Sequence, residues 1–140
     1  MFSTNFIVYT NPVGKGRPKF RRVGNFVSAY TPKKTVTQEQ EIAKVAKAAM
    51  GNEEPLETPL TVCIYFRMPI PKSYSKKLTK DCLDGFERHL KKPDLDNMAK
   101  LVLDSLNGIV YKDDSQIVNL HLRKVYAETP AIEVIVAEDL

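Results

Sequence analysis

The sequence predicts an α/β (α+β) fold: a small mixed β-sheet with helices packed mainly on one face, in a single domain spanning residues 1–140. Three observations predict it. Segments near 60–67, 118–123 and 132–136 alternate apolar and polar residues with the period of a half-buried strand. Segments near 32–50 and 95–106 repeat apolar or small residues at helical spacing. A chain of 140 residues is long enough for one real core and short for two.

Taken in order, Phe6-Ile7-Val8-Tyr9 reads as a short strand closed by the turn signal Asn11-Pro12. A basic loop follows, Val13-Gly14-Lys15-Gly16-Arg17-Pro18-Lys19-Phe20-Arg21-Arg22. Its Gly-Lys pair lacks the following Ser/Thr and the spaced upstream glycine of a phosphate-binding P-loop. Its glycines allow close backbone approach to phosphates, and a plain solvated loop is the alternative. Asn25–Tyr30 reads as a strand hairpinned to the segment around Phe20, with Phe20 and Phe26 expected to pack into the core or sheet rather than stack on bases. Thr31 is expected to cap a helix with Pro32 in its first turn, Thr37 and Gln40 offering a later capping box. That helix runs to Met50, with Val36, Ala43, Ala46 and Met50 near one face and Gly51 as its stop.

Leu60, Val62, Ile64 and Phe66 alternate with Thr61, Cys63, Tyr65 and Arg67, and Pro69 and Pro71 end the strand. Residues 72–92 are basic and mixed, with a short helix around Ser75–Phe86 inside a mobile or partner-facing excursion. The next helix is expected near Asp94 or Asp96, with Leu95, Met98, Val102 and Leu106 on its apolar face and Asn107-Gly108 as its stop. The last two strands, joined by a short turn over 127–130, are expected to be antiparallel.

Composition narrows the function classes. No apolar run approaches the roughly 18 residues of a membrane span, and the N-terminus lacks the basic-then-apolar pattern of a secretory signal. Cys63 and Cys82 fit neither a disulfide framework nor a metal spacing and read as reduced thiols. Net charge is +4, but residues 1–50 hold nine Lys/Arg against Glu39 and Glu41, so the first 50 carry +7 and the remainder −3. Such segregation suggests a surface for a polyanion, nucleic acid above all, beside a site for cations.

The acidic site is concentrated in Lys92-Pro93-Asp94-Leu95-Asp96-Asn97-Met98-Ala99-Lys100, then Asp104-Ser105-Leu106-Asn107-Gly108, then Asp113-Asp114-Ser115-Gln116. Carboxylates cluster like this where a hard divalent cation is held. Asp96, Lys100 and Asp104 stand four apart and share a helix side away from the apolar face. Asp113-Asp114 follows the helix by about the length needed to return alongside it. Taken singly, each has a plainer reading: Asp94 or Asp96 as an N-cap, Asp104 as a partner for Lys100, Asp113-Asp114 as a solvated turn. An EF-hand fails because Met98, Ala99 and Ser105 occupy three of its required positions. Zinc fails because His89 and His121 have no suitably spaced ligand partners. A carboxylate-held Mg²⁺ beside a lysine suits phosphodiester hydrolysis, and the basic loops favour a nucleic-acid backbone as substrate.

These residues resemble the RusA family of Holliday junction resolvases, common in phages and prophages. The match rests on Pro93-Asp94-Leu95-Asp96-Asn97 with Lys100, Asp104-Ser105-Leu106-Asn107-Gly108 and Asp113-Asp114-Ser115-Gln116-Ile117. Gly14-Lys15-Gly16-Arg17-Pro18 and Tyr30-Thr31-Pro32-Lys33-Lys34-Thr35 are similar to the phage branch, while residues 68–90 match poorly. The resemblance implies a cytoplasmic homodimer that cuts opposing strands of a four-way DNA junction in recombination and repair, using Mg²⁺, for which Mn²⁺ substitutes. It implies Asp94, Asp96 and Asp114 as metal ligands, with Lys100 completing the catalytic set and Asp104 pairing with Lys100. Asp113 is left as a neighbour of the site. Lys15, Arg17, Lys19, Arg21, Arg22, Lys33 and Lys34 form the expected DNA-binding set. A nuclease for flaps or other branched DNA, and a non-catalytic branched-DNA binder, are the alternatives.

Overall fold

The computed structural model describes residues 2–140. Strands β1 (Ser3–Val8), β4 (Leu60–Pro69), β5 (Ile117–Ala127) and β6 (Ala131–Glu138) form one sheet in the order β1-β6-β4-β5. Between β1 and β4 the chain makes a separate hairpin, β2 (Lys19–Val23) and β3 (Phe26–Tyr30), and helix α1 (Lys33–Met50). Helices α2 (Lys76–Asp84) and α3 (Leu95–Ser105) lie between β4 and β5.

Strand β4 carries the clearest alternation because it is central. Leu60, Val62, Ile64 and Phe66 are fully buried on the helix side, while Thr61, Cys63, Tyr65 and Arg67 are half-exposed on the other. It pairs parallel with β5 and antiparallel with β6. The two last strands therefore do run in opposite directions, as expected, but they are not neighbours: β4 sits between them. The apolar β4 fills the central place, which is buried on both edges, and a two-strand hairpin would have left it at a rim.

Helix α1 buries Ala46 and Met50 as expected, but in its first half the buried stripe departs from Val36 and Ala43. Its buried residues are Thr35, Gln38, Ile42, Ala46 and Met50, and Val36 is exposed. The two polar members are buried because they hold the basic loop. Gln38 donates Nε2–H to the Asn11 carbonyl (2.7 Å) and accepts the Val13 N–H (3.0 Å), and Thr35 Oγ1 accepts the Gly16 N–H (2.9 Å). Nor does Thr31 cap this helix; Pro32 stands at the cap position without a side-chain cap bond.

The expected short helix of the excursion is α2, capped by Ser75 accepting the Leu78 N–H (3.1 Å) and closed by Gly85 at φ +84°. The excursion packs on β5: Cys82 is buried, and Tyr74 and His89 meet Tyr126 edge-on at 6.5 and 5.1 Å between centroids. Burial first, then Lys124 and Lys91, hold the His89 pKa below its ordinary 6.5, so the ring is kept neutral as a packing group. Helix α3 buries Met98, Ala99, Leu101 and Val102 against the sheet. That fixes its opposite side toward solvent. Among the described residues, no helix is long and apolar enough to cross a membrane.

Candidate active site

The site grows from the exposed side of α3. Asp94 occupies the N-cap position with extended backbone (φ −71°, ψ 145°), yet its carboxylate makes no capping hydrogen bond. The backbone bend here is the one needed to bring Asp94 and Asp96 to the same helix end. Asp96 Oδ1 accepts the N–H of Asn97 at 2.9 Å. Both acids are exposed and neither has a Lys or Arg nitrogen within ion-pair distance among the described residues. The helix dipole favours negative charge at this end. Lys100 is exposed one turn further along and is likewise unpaired among the described residues.

Two restraints place this helix end. Lys124 Nζ of β5 donates to the carbonyls of Lys91 (3.0 Å) and Pro93 (3.2 Å), directly before Asp94. On the other side the Lys15 N–H donates to the Asn97 carbonyl (3.1 Å), which lays the basic loop along α3. The loop and helix enclose an open cavity of about 510 Å³, whose rim joins Arg17, Lys34 and Lys92 to Asp94 and Asn97. A second cavity of about 280 Å³ joins Arg17 and Thr31 to Asn97 and Lys100.

The loop glycines serve packing before any ligand. A Cβ on Gly16 would lie 2.7 Å from Pro32 Cγ and 2.8 Å from Thr35 Oγ1, and one on Gly14 would lie 3.1 Å from Asn97 Nδ2. Their close approach is to α1 and α3.

The exit of α3 is arranged differently. Asp104 Oδ2 pairs with Lys15 Nζ at 3.0 Å, and Lys15 also reaches Glu39 at 3.3 Å. This corrects the expected Asp104–Lys100 pair: the loop pinned at Asn97 delivers Lys15 to Asp104 first. It also commits Lys15, one of the expected DNA-binding lysines, to a protein ion pair. Burial opposes the Lys15 charge, but Asp104 and Glu39 outweigh it and raise the ammonium pKa above its usual 10.5. Asp113 is the cap of a one-turn 3₁₀ helix, Asp114–Gln116: its carboxylate accepts the Ser115 N–H (3.0 Å) and its own N–H goes to Gln116 Oε1 (2.9 Å). Hydrogen bonding from the Ser115 side chain, then from its N–H, lowers the Asp113 pKa. The Asp114 N–H donates to Asn107 Oδ1 at 2.9 Å, which ties this turn to the end of α3. The buried phenol of Tyr111, donating to the Leu103 carbonyl at 2.7 Å, lies under these acids; burial, then Asp114, Asp104 and Asp113, push its pKa far up.

The expected metal ligands are thus divided. Asp94 and Asp96 come from the entrance of α3, and Asp114 comes from the turn whose backbone is tied to Asn107 past its exit. Among the described residues, no three His, Cys, Asp or Glu side chains form a group able to hold a metal ion. The pair at the entrance fits a hard cation in donor chemistry, since Mg²⁺ commonly takes one or two carboxylates and completes its shell with water and substrate phosphate.

A family model described as endodeoxyribonuclease RusA matches residues 10–137. The chain belongs to the RusA endodeoxyribonuclease family. It is 38% identical over 135 residues to the uncharacterized protein YqaN of Bacillus subtilis (strain 168), covering 95% of this chain and 94% of that protein. As a RusA-family endodeoxyribonuclease the chain has DNA phosphodiesters as its chemistry. Asn97, Asn107 and Gln38 tie the basic loop, α1 and the turn after α3 together through hydrogen bonds not expected from the sequence. The Asp-Leu-Asp-Asn run signals Asn97, and nothing local signals Gln38.

Proposed function

We propose that this endodeoxyribonuclease resolves four-way DNA junctions by paired nicks in opposing strands, acting as a homodimer with Mg²⁺, for which Mn²⁺ substitutes. The observation that carries the reading is Asp94: it holds the cap position of α3, caps nothing, and faces a cavity rimmed by Arg17, Lys34 and Lys92. A carboxylate kept out of its ordinary structural use, beside Asp96 and a free Lys100, is suited to bind a cation against a phosphate. Asp94 and Asp96 would hold Mg²⁺, which supplies charge neutralisation at the phosphate and a more acidic bound water. Lys100 holds a non-bridging phosphate oxygen and offsets the charge that builds there as the P–O bond breaks. Asp114 is the remaining member of the proposed set, contributed from the turn bonded to Asn107. Arg17, Lys19, Arg21, Arg22, Lys33 and Lys34 are all exposed and grip flanking phosphates. Two symmetric cuts call for two sites related by a two-fold axis, which a homodimer supplies.

The test is a synthetic four-way junction, a flap and a linear duplex, each incubated with the protein with and without Mg²⁺. Symmetric nicking of the junction, dependent on the metal, is expected. Preferential cutting of the flap would transfer the activity to other branched DNA, and binding without cleavage in Mg²⁺ or Mn²⁺ would make the protein a binder.

A further inference from the structure

The hairpin β2–β3 is paired only with itself, and all ten of its strand residues are exposed. Phe20 and Phe26, expected in the core or sheet, are 71% and 78% exposed, and Val27 is 70% exposed. The register explains the layout. Phe20 faces Ala29 and Arg22 faces Val27 on one side of the ribbon; Arg21 faces Ser28 and Val23 faces Phe26 on the other. Gly24, at φ +61°, makes the tight turn just beyond the Val23–Phe26 pair. The ribbon therefore has an apolar tip on one face and an arginine on each face. Arg21 also stacks over Tyr30 at 5.9 Å, which holds its guanidinium along the ribbon. Between residues 15 and 34 there are seven Lys/Arg and no acid.

A two-stranded hairpin is marginal alone in water, and apolar side chains this exposed call for an occupant. The surrounding charge selects a polyanion that also offers apolar faces, and DNA bases with their stacking broken are such a surface. The root of the hairpin, Gly16–Pro18 with Thr31, lines the cavity that contains Lys100. We propose that this hairpin is a wedge: Phe26, backed by Val23, inserts against unstacked bases at the branch point, while Arg21 and Arg22 hold phosphates on its two sides. The branch would thereby be set beside Lys100. The inference rests on the branched-DNA reading above and adds the element that recognises the branch.

The test uses the full chain and a four-way junction with 2-aminopurine at the branch, in the absence of divalent metal, with a matching linear duplex as reference. Wild-type binding is expected to change the emission of the branch probe. Phe26→Ala should suppress that change and lower the junction-to-duplex affinity ratio about 5- to 150-fold, the range for one base–aromatic stack. Phe26→Tyr should restore both. Because the residue touches no core element, circular dichroism of Phe26→Ala should match wild type. An unchanged emission response and ratio in Phe26→Ala would overturn the wedge. So would a shift of Phe26→Ala from dimer to monomer by light scattering, which would assign the tip to a second copy of the chain. A wild-type protein with no preference for the junction would overturn the branched-DNA reading itself, and the wedge with it.

Discussion

The two ends of α3 carry similar residues in opposite states. At the entrance, Asp94 and Asp96 face solvent with no ion-pair partner among the described residues. In the last turn Asp104 is neutralised by Lys15, and past the exit Asp113 caps a 3₁₀ turn and the Asp114 backbone is tied to Asn107. Asp104 and Asp113 hold the protein to itself through their carboxylates, Asp114 only through its backbone N–H. Entrance-side acids are left with unsatisfied charge, and an unsatisfied pair of carboxylates at a helix N-terminus is where a cation and a phosphate are best received. Five aspartates in one acidic stretch thus divide by partner rather than by sequence motif.

The contrast is sharpest in catalysis. Asp96→Asn keeps size and hydrogen bonding but removes charge, and it is expected to slow junction nicking by roughly 10²–10³-fold while affinity measured without metal stays within a few-fold. Asp114→Asn is the companion measurement. Equal loss would give the exit a direct part in the reaction, and full activity would remove Asp114 from the site. An Asp104→Asn rate as low as that of Asp96→Asn would break the comparison outright.

Stability should respond in the reverse order. The Lys15–Asp104 pair is only about one-quarter exposed on each side chain. Lys15→Met is expected to cost about 1–2 kcal/mol in urea unfolding, with Asp96→Asn near zero. A double-mutant cycle of Lys15→Met with Asp104→Asn should show positive coupling, and strict additivity would mean that the pair contributes nothing.

The smallest effect is on the pH profile. The raised Lys15 pKa stabilises the fold below 10.5, and that contribution is lost as pH rises through the folded-state value. The lowered Asp113 pKa contributes above 3.8 and is lost as pH falls through its folded-state value. Thermal melts across pH should therefore lose an alkaline decline in Lys15→Met and part of the acid decline in Asp113→Asn. Unchanged arms in both variants would detach these shifts from stability.

Much of this arrangement was legible in the sequence, for identifiable reasons. Period-two alternation located β4 and β6 because one face of each lies buried in the core; it located β5 as well, although Val118 and Leu120 stay exposed on that edge strand. The apolar stripe of α3 placed Asp96, Lys100 and Asp104 on its free side. What was not legible depended on partners distant in the chain. Lys15 and Asp104 are 89 positions apart, and no local rule prefers that pair to Lys100 four residues away. Thr35 and Gln38 are buried because a loop needs their hydrogen bonds, which shifts the first half of the α1 stripe. The expected hairpin of Asn25–Tyr30 with the segment around Phe20 does form, but a strand pattern does not say whether a second layer will cover it. Among the described residues none does.

Lys124 extends the reach of the site beyond its own helix. Its ammonium spends two of its three hydrogens on the carbonyls of Lys91 and Pro93, so an edge strand acts as a strut under the α3 entrance. Geometry at Asp94 is then inherited from the sheet edge, and a change there that leaves every carboxylate in place can still put the chemistry out of alignment.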